Sequence, residues 1–265
     1  MGVVNVTPDS FSDGGRLTSD GEALDFALRL VAEGADIIDV GGESSRPGAT
    51  PIDVAEELRR VVPLISAIKA RSEVEISIDT TKPQVARAAI TAGASMWNDI
   101  SALRGSSESL AVAASLNCQV VLMHMKGDPA TMQDDPLYED VVGEVAGFLA
   151  ARAAAAEAAG VAADRIWLDP GIGFGKTPRH SLTLLRSLSQ ITALGYRVLV
   201  GTSRKGFIRA VDPSARQPQD RLGGSLATGL AAARSGAAAV RAHDVRQTVQ
   251  ALRLQAAIAE AGEDG

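Results

Sequence analysis

Aromatic side chains are scarce: two Trp, two Tyr and five Phe make up 3% of the chain. The core must therefore be filled by Val, Ile, Leu and Ala. Cysteine is scarcer still. The single Cys118 cannot close an internal disulfide, and its place at the head of the apolar run C-Q-V-V-L-M reads as a buried structural thiol in a reducing compartment. There is no basic excess. The 26 Lys and Arg stand against 32 Asp and Glu, for a net charge of −6 and a pI near 5.2, so no nucleic acid partner is expected. No run approaches the roughly 18 apolar residues of a membrane-crossing helix, and the start M-G-V-V-N-V-T-P lacks the regions of a secretion signal. No membrane and a cytoplasmic location are the expectations. The three histidines, His124, His180 and His243, are too widely separated for an H-E-x-x-H zinc site, and no G-x-S-x-G elbow occurs. His180, at a helix start, reads as exposed and idle.

What the chain does have is alternation. Short β-branched runs at 2–6, 36–40, 75–78, 95–97, 119–123, 165–168, 197–200 and 238–240 each precede a helical pattern expected to span ten residues or more. Examples are the helix from about Ile52 to Ala70 and the Ala-rich one from Asp140 to Ala159, closed by Gly160. Strands alternating with helices imply a parallel sheet. Eight such units in 265 residues favour an α/β fold of the (β/α)8 TIM-barrel type, a single domain over 1–265 with a frayed acidic tail at 259–265. A doubly wound sheet would want G-x-G-x-x-G after its first strand, where this chain has N-V-T-P-D-S-F-S-D-G-G.

One segment invites a different reading. Asp169 to Thr177 spells D-P-G-I-G-F-G-K-T, ending like a P-loop, but the position that G-x-x-x-x-G-K-[ST] reserves for its first glycine holds Pro170. Gly171, Gly173 and Gly175 would instead let backbone run close beneath a flat ligand ring. Lys176-Thr177 would merely lead into the next helix.

In a barrel the carboxyl ends of the strands converge on one mouth, where the active site is built. Those ends carry Asn5, Asp39, Asp79, Asn98, Met123 with His124, Asp169, Gly201 with Ser203 and Lys205, and Arg241 with His243. Any one polar residue there could simply cap a helix, and Asp39 and Asp79 are candidates for that role. Arriving together, they define a functional mouth with two halves. Asp79, Asn98 and Asp169 suit a flat heterocycle with several N–H donors. Arg46, Lys205, Arg241 and His243 suit a phosphate or diphosphate. Asn5 and Asp13 could add oxygens to Mg²⁺, which takes few protein ligands and keeps waters.

The motifs taken together resemble the dihydropteroate synthase family. The likeness rests on G-V-V-N-V-T-P-D-S-F-S-D-G-G, D-V-G-G-E-S-S-R-P-G-A, S-I-D-T, N-D-I-S, V-L-M-H-M, D-P-G-I-G-F-G-K-T, G-T-S-R-K and R-A-H-D-V, in order and nearly end to end. It implies an enzyme, a transferase of folate biosynthesis, that condenses 6-hydroxymethyl-7,8-dihydropterin diphosphate with p-aminobenzoate, with Mg²⁺ as cofactor and an SN1-like mechanism. By motif position, Asp79, Asn98, Met123, Asp169, Phe174, Gly201 and Lys205 would bind pterin. Asn5, Arg46, Arg241 and His243 would bind diphosphate, and Asn5 and Asp13 the metal. Phe11, Ser45, Pro47, Phe174, Ser203 and Lys205 would form the p-aminobenzoate pocket, where sulfonamides compete or are excluded. The catalytic set would be Lys205, Asp79, Asp169, Arg241, His243 and Asp13. A homodimer through the late helices is a further implication. A methyltransferase domain of the same fold would share the pterin contacts but has no use for S-F-S-D-G-G or S-S-R-P-G-A. A non-catalytic pterin-binding paralogue would be expected to lose Arg46, Lys205 or His243, which this chain retains.

Overall fold

The computed structural model of the chain describes residues 1–6, 20–44, 50–127, 132 and 136–261. Phe11, Asp13, Ser45, Arg46 and Pro47, all assigned above to the site, lie outside the described residues. The strands are β1 (Gly2–Asn5), β2 (Ile37–Gly41), β3 (Glu75–Asp79), β4 (Met96–Asp99), β5 (Gln119–Met123), β6 (Ile166–Asp169), β7 (Arg197–Gly201) and β8 (Ala239–Arg241). They pair in parallel in sequence order, and an isolated parallel bridge between Gly2 and Ala242 brings β8 back to β1. The result is a nearly closed (β/α)8 barrel, as the alternation predicts.

Its helices are α1 (Asp20–Ala32), α2 (Val54–Lys69), α3 (Pro83–Thr91), α4 (Ser109–Leu116), α5 (Val141–Ala158), α6 (Pro178–Arg186), α7 (Ser189–Thr192), α8 (Gly206–Val211), α9 (Leu222–Arg234) and α10 (Val245–Glu260). Several fall short of the ten residues expected of each. The segment after β7 is also split, with the six-residue α8 separated from α9 by a loop and a 3₁₀ turn at Pro218–Arg221. Pro213 and Pro218 break the continuity, since neither can donate a helical N–H. At the other end α10 stays helical to Glu260, two residues into the tail expected to fray. Caps set other boundaries: the Asp53 carboxylate accepts from Glu56 N at 2.8 Å and that of Asp140 from Val142 N at 3.1 Å. His180 is not idle. Its ring accepts from Thr177 N at 3.3 Å while Thr177 Oγ1 accepts from His180 N at 3.1 Å, a reciprocal cap on α6.

Side-chain alternation along the strands builds two layers. Ile38, Val40, Ile76, Ile78, Val120, Leu122, Leu168 and Val200 face the helices in the main core. The intervening residues Ile37, Met96, Val121, Trp167 and Leu199 fill the barrel interior. Two residues further along the same inward face come Asp39, Asn98, Met123, Asp169 and Gly201. The barrel is thus plugged with hydrocarbon below and lined with polar groups above. Cys118 is buried, as its apolar setting predicts, and burial pushes its thiol up to about 11.

Candidate active site

The polar layer opens into a cleft lined by Asp79, Asn98, Ile100, Met123, Asp169, Phe174, Gly201, Ser203, Lys205, Arg241 and His243. Ten of these were expected from strand ends and motifs. Ile100 was not, because an apolar residue one step past a strand carries no chemical signal of its own. Register explains the convergence: Asp79 is level with Asn98, Met123 with Asp169, and Gly201 with Arg241. Asn5 ends β1 level with Gly41, at the same height but outside the cleft lining.

Charge is concentrated at the bottom of the cleft. Arg241 Nε donates to Asp39 Oδ2 at 2.6 Å and its Nη2 to Asp79 Oδ2 at 3.0 Å. Asp39 is fully buried and also accepts from Asn98 Nδ2 at 3.3 Å. It is therefore no helix cap but part of the interior charge network, and Asp79 belongs to it too. Arg241, assigned by its motif to the diphosphate, gains two carboxylate partners that motif position did not suggest. Burial, reinforced by the neighbouring charge of Asp39, holds the Asp79 carboxyl above the usual carboxylate range against the pull of Arg241.

Across the cleft, Asp169 Oδ1 accepts from Gly171 N at 2.7 Å. Burial raises its pKa, opposed first by the charge of Lys205. Lys205 donates to the Ile172 carbonyl, and its ammonium lies 4.4 Å from the centroid of the Phe174 ring. Burial pushes Lys205 down to about 8, with Asp169 holding it up and Arg241 adding to the fall. Its ammonium thus lies over an aromatic face and in the field of the Asp169 carboxylate. Ser203 Oγ accepts from His243 N at 3.1 Å and lies 3.0 Å from His243 Nδ1, which ties the loops after β7 and β8 together. Arg204 adds a second tie, a bidentate pair to Asp244 at 3.0 and 2.6 Å. It is a bracing residue.

The G-F-G-K-T segment differs from its sequence reading in two respects. Gly171 and Gly175 have φ of +63° and +59°, and a Cβ on either would lie 1.9 Å from His124 O or 2.3 Å from Lys126 O. At these two positions the missing side chain admits the backbone of the neighbouring loop. Lys176 does more than lead into α6: it is only 3% exposed, and its Nζ sits 2.9 Å from His124 Nδ1. Burial and the charge of Lys205 push Lys176 down to about 7 against the attraction of Asp169.

Among the described residues no three His, Cys, Asp or Glu side chains converge as a metal cage. Magnesium does not require one, since it is held by one or two protein oxygens, phosphate oxygens and waters. The amide oxygen of Asn5 reaches the rim beside Gly41 and Asp79 and has the chemistry of such a ligand.

A set of three carboxylates, two cations and one histidine, buried or half-buried at the carboxyl end of a nearly closed parallel barrel, defines a TIM-barrel enzyme with its site in the usual place. The family described as pterin binding enzyme matches residues 1–243. The dihydropteroate synthase of Escherichia coli K12 is 46% identical over 264 residues, which span 100% of this chain and 93% of that protein. The dihydropteroate synthase of Xanthomonas albilineans solved with 4-aminobenzoic acid superposes with a TM-score of 0.91 at 49% identity, covering 97% of this chain and 92% of that one. The same enzyme solved with 7,8-dihydropteroate gives a TM-score of 0.88 at 46% identity, covering 97% and 92%. The chain belongs to the pterin-binding enzymes, and among them to the dihydropteroate synthases, which are transferases. None of its described helices is long and apolar enough to cross a membrane.

Proposed function

We propose that the chain joins 6-hydroxymethyl-7,8-dihydropterin diphosphate to p-aminobenzoate, giving 7,8-dihydropteroate and diphosphate. The observation that carries this reading is the juxtaposition of Asp169 and Asn98 with Lys205, Arg241 and His243 around one cleft. The X. albilineans relatives solved with 4-aminobenzoic acid and with 7,8-dihydropteroate support it.

Asp169 accepts from the amino-pyrimidine edge of the pterin and fixes its plane, with Asn98 and Asp79 reading the remaining donors. Met123, Ile100 and Gly201 give the ring an apolar, close-fitting bed. Lys205 donates to a ring acceptor, and its ammonium rests on the face of Phe174. The bond between the pterin methylene and the diphosphate oxygen breaks with its electron pair on oxygen, in an SN1-like step. Asp79 and Asp169 favour the cation left on the dihydropterin, and Arg241 and His243, with Arg46 and Asn5, favour the departing anion. The aniline nitrogen then attacks the methylene and loses one proton to solvent. No strong base is needed, because the product anilinium is very acidic. Phe11, Ser45, Pro47, Phe174 and Ser203 would form the p-aminobenzoate pocket, and the first two loops would exclude the water that could otherwise capture the cation. Asn5 and Asp13 would hold Mg²⁺, which when bound supplies further positive charge to the diphosphate.

Asp169→Asn tests the pterin assignment. It removes the charge from a buried hydrogen-bond pair, so affinity for the pterin diphosphate should fall by about 1–3 kcal/mol, or roughly 5- to 150-fold. Titration calorimetry checks this, and unchanged affinity would mean that the pterin edge is read elsewhere.

A homodimer and a cytoplasmic location belong to the same reading. On α10, Leu254 and Ile258 are 62% and 67% exposed and one turn apart, an apolar face suited to a second copy. Sedimentation velocity is expected to give about twice the chain mass of 27.4 kDa. A monomer at micromolar concentration would remove the dimer.

A further inference from the structure

The loop after β6 is held from two sides by two lysines. On the cleft side, Lys205 donates to Ile172 O and covers the Phe174 ring. Behind it, Lys176 sits buried with its Nζ 2.9 Å from His124 Nδ1, 3.2 Å from His124 O and 3.0 Å from Phe174 O. An ammonium has three donors and no acceptor, so the charged form of Lys176 matches this cradle donor for donor. His124 fits the same account. Burial and the charge of Lys176 hold its ring down at about 3, so it is neutral and can accept at Nδ1. The ring is packed edge-on against Phe148, with centroids 4.9 Å apart, so the acceptor is fixed in place. The two loops also meet backbone to backbone through Gly171 and Gly175, and Tyr138 Oη donates to Gly175 O at 2.7 Å. The charged groups facing Lys176 are Asp169 at the end of β6 and Lys205 at the start of α8.

We propose that Lys176 is a positioning residue that clamps the loop carrying Phe174 to the loop after β5, so that the aromatic wall of the cleft stays in place when Lys205 turns its donors to substrate. The inference rests on the reading of the cleft given above. Its physical content is a division of labour. A lysine that donates to both Ile172 O and a ligand holds the loop less firmly than one that donates to the loop alone. Lys176 supplies the hold that does not depend on substrate. The consequence falls on p-aminobenzoate, whose pocket Phe174 walls, and much less on the pterin, which is bound by Asp169 and Asn98 on rigid strands.

The test compares the wild type with Lys176→Met, which keeps the hydrocarbon and removes all three donors, and with Lys176→Arg, which keeps donors and charge. Amide hydrogen exchange is followed over residues 171–176, and steady-state kinetics with each substrate varied in turn. In Lys176→Met exchange should quicken by about tenfold or more, and the KM for p-aminobenzoate should rise by about tenfold. Its kcat and its KM for pterin diphosphate should stay within about threefold, and Lys176→Arg should recover most of the loss in both readings. Unchanged exchange and an unchanged p-aminobenzoate KM overturn the clamp. So does a parallel fall in every kinetic constant together with a lowered Tm, which would make Lys176 a general structural residue. If Lys176→Met is not recovered folded, the same readings on Lys176→Arg decide, with shifts of about twofold to threefold confined to p-aminobenzoate and the loop expected. A wild type without turnover would sink the proposed reaction instead, and the exchange data would still judge the clamp.

Discussion

Replacing Lys205 by alanine is expected to lower kcat by about 10²- to 10³-fold, the loss typical of removing one preorganised donor from a developing charge. The side chain is the cation nearest Asp169 and Phe174 in the cleft, and nothing else in the described structure can take over its place above that ring. The fold should survive. Lys205 makes a hydrogen bond to one loop carbonyl, whose loss is worth about 1–3 kcal/mol. Kinetics and thermal unfolding of the variant check both halves. Wild-type-like turnover would remove Lys205 from the site.

The opposite balance is expected at Arg241. Its guanidinium is the shared partner of two carboxylates, one fully buried and carrying an oxygen, Oδ1, without a hydrogen-bond partner among the described residues. Arg241→Met should therefore destabilise the protein by about 3–5 kcal/mol at pH 8, the cost of leaving buried charge uncompensated. That is a large part of the 5–15 kcal/mol typical of a domain. The loss should shrink as the pH falls. Asp79 already has its pKa raised in the fold, and Arg241 is the charge that pulls it down. Without Arg241, the folded state binds more protons than the unfolded state from just above the ordinary carboxylate range upward. The slope of unfolding free energy against pH is then negative, so stability is highest at the acid end of that window and declines through the raised folded pKa. Urea unfolding at pH 5.5 and 8 measures it. A loss below about 1 kcal/mol at pH 8, or one that grows on acidification, would contradict the account of the ion-pair network.

Much of this was legible in the sequence for a definite reason. Apolar strands that end in a polar residue can hardly be read otherwise than as barrel staves delivering groups to a mouth. That rule alone places Asp79, Asn98, Asp169 and Arg241 at the mouth. Asp39 escaped it. It lies within the run I-I-D-V, where a carboxylate reads as a cap, and its ion-pair partner is 202 residues away. Lys176 escaped for a similar reason. A lysine at the start of a helix ordinarily points to water, and only the packing of two loops, 52 residues apart in sequence, buries it against His124. The glycines of the same segment were recognised as sites of close approach, but what approaches them could not be read locally. Pro213 and Pro218 mark the split between α8 and α9, but the helical periodicity on either side reads as one helix.

The central claim is that one cleft binds the pterin diphosphate and transfers its dihydropterin-methyl group to p-aminobenzoate. The most direct measurement is diphosphate release by the purified chain with Mg²⁺, supplied with the pterin diphosphate alone and then with p-aminobenzoate added, with the pterin product identified by mass. Release that depends on p-aminobenzoate and yields 7,8-dihydropteroate in equal amount is the expected result. Tight binding of the pterin diphosphate with no p-aminobenzoate-dependent turnover would contradict it.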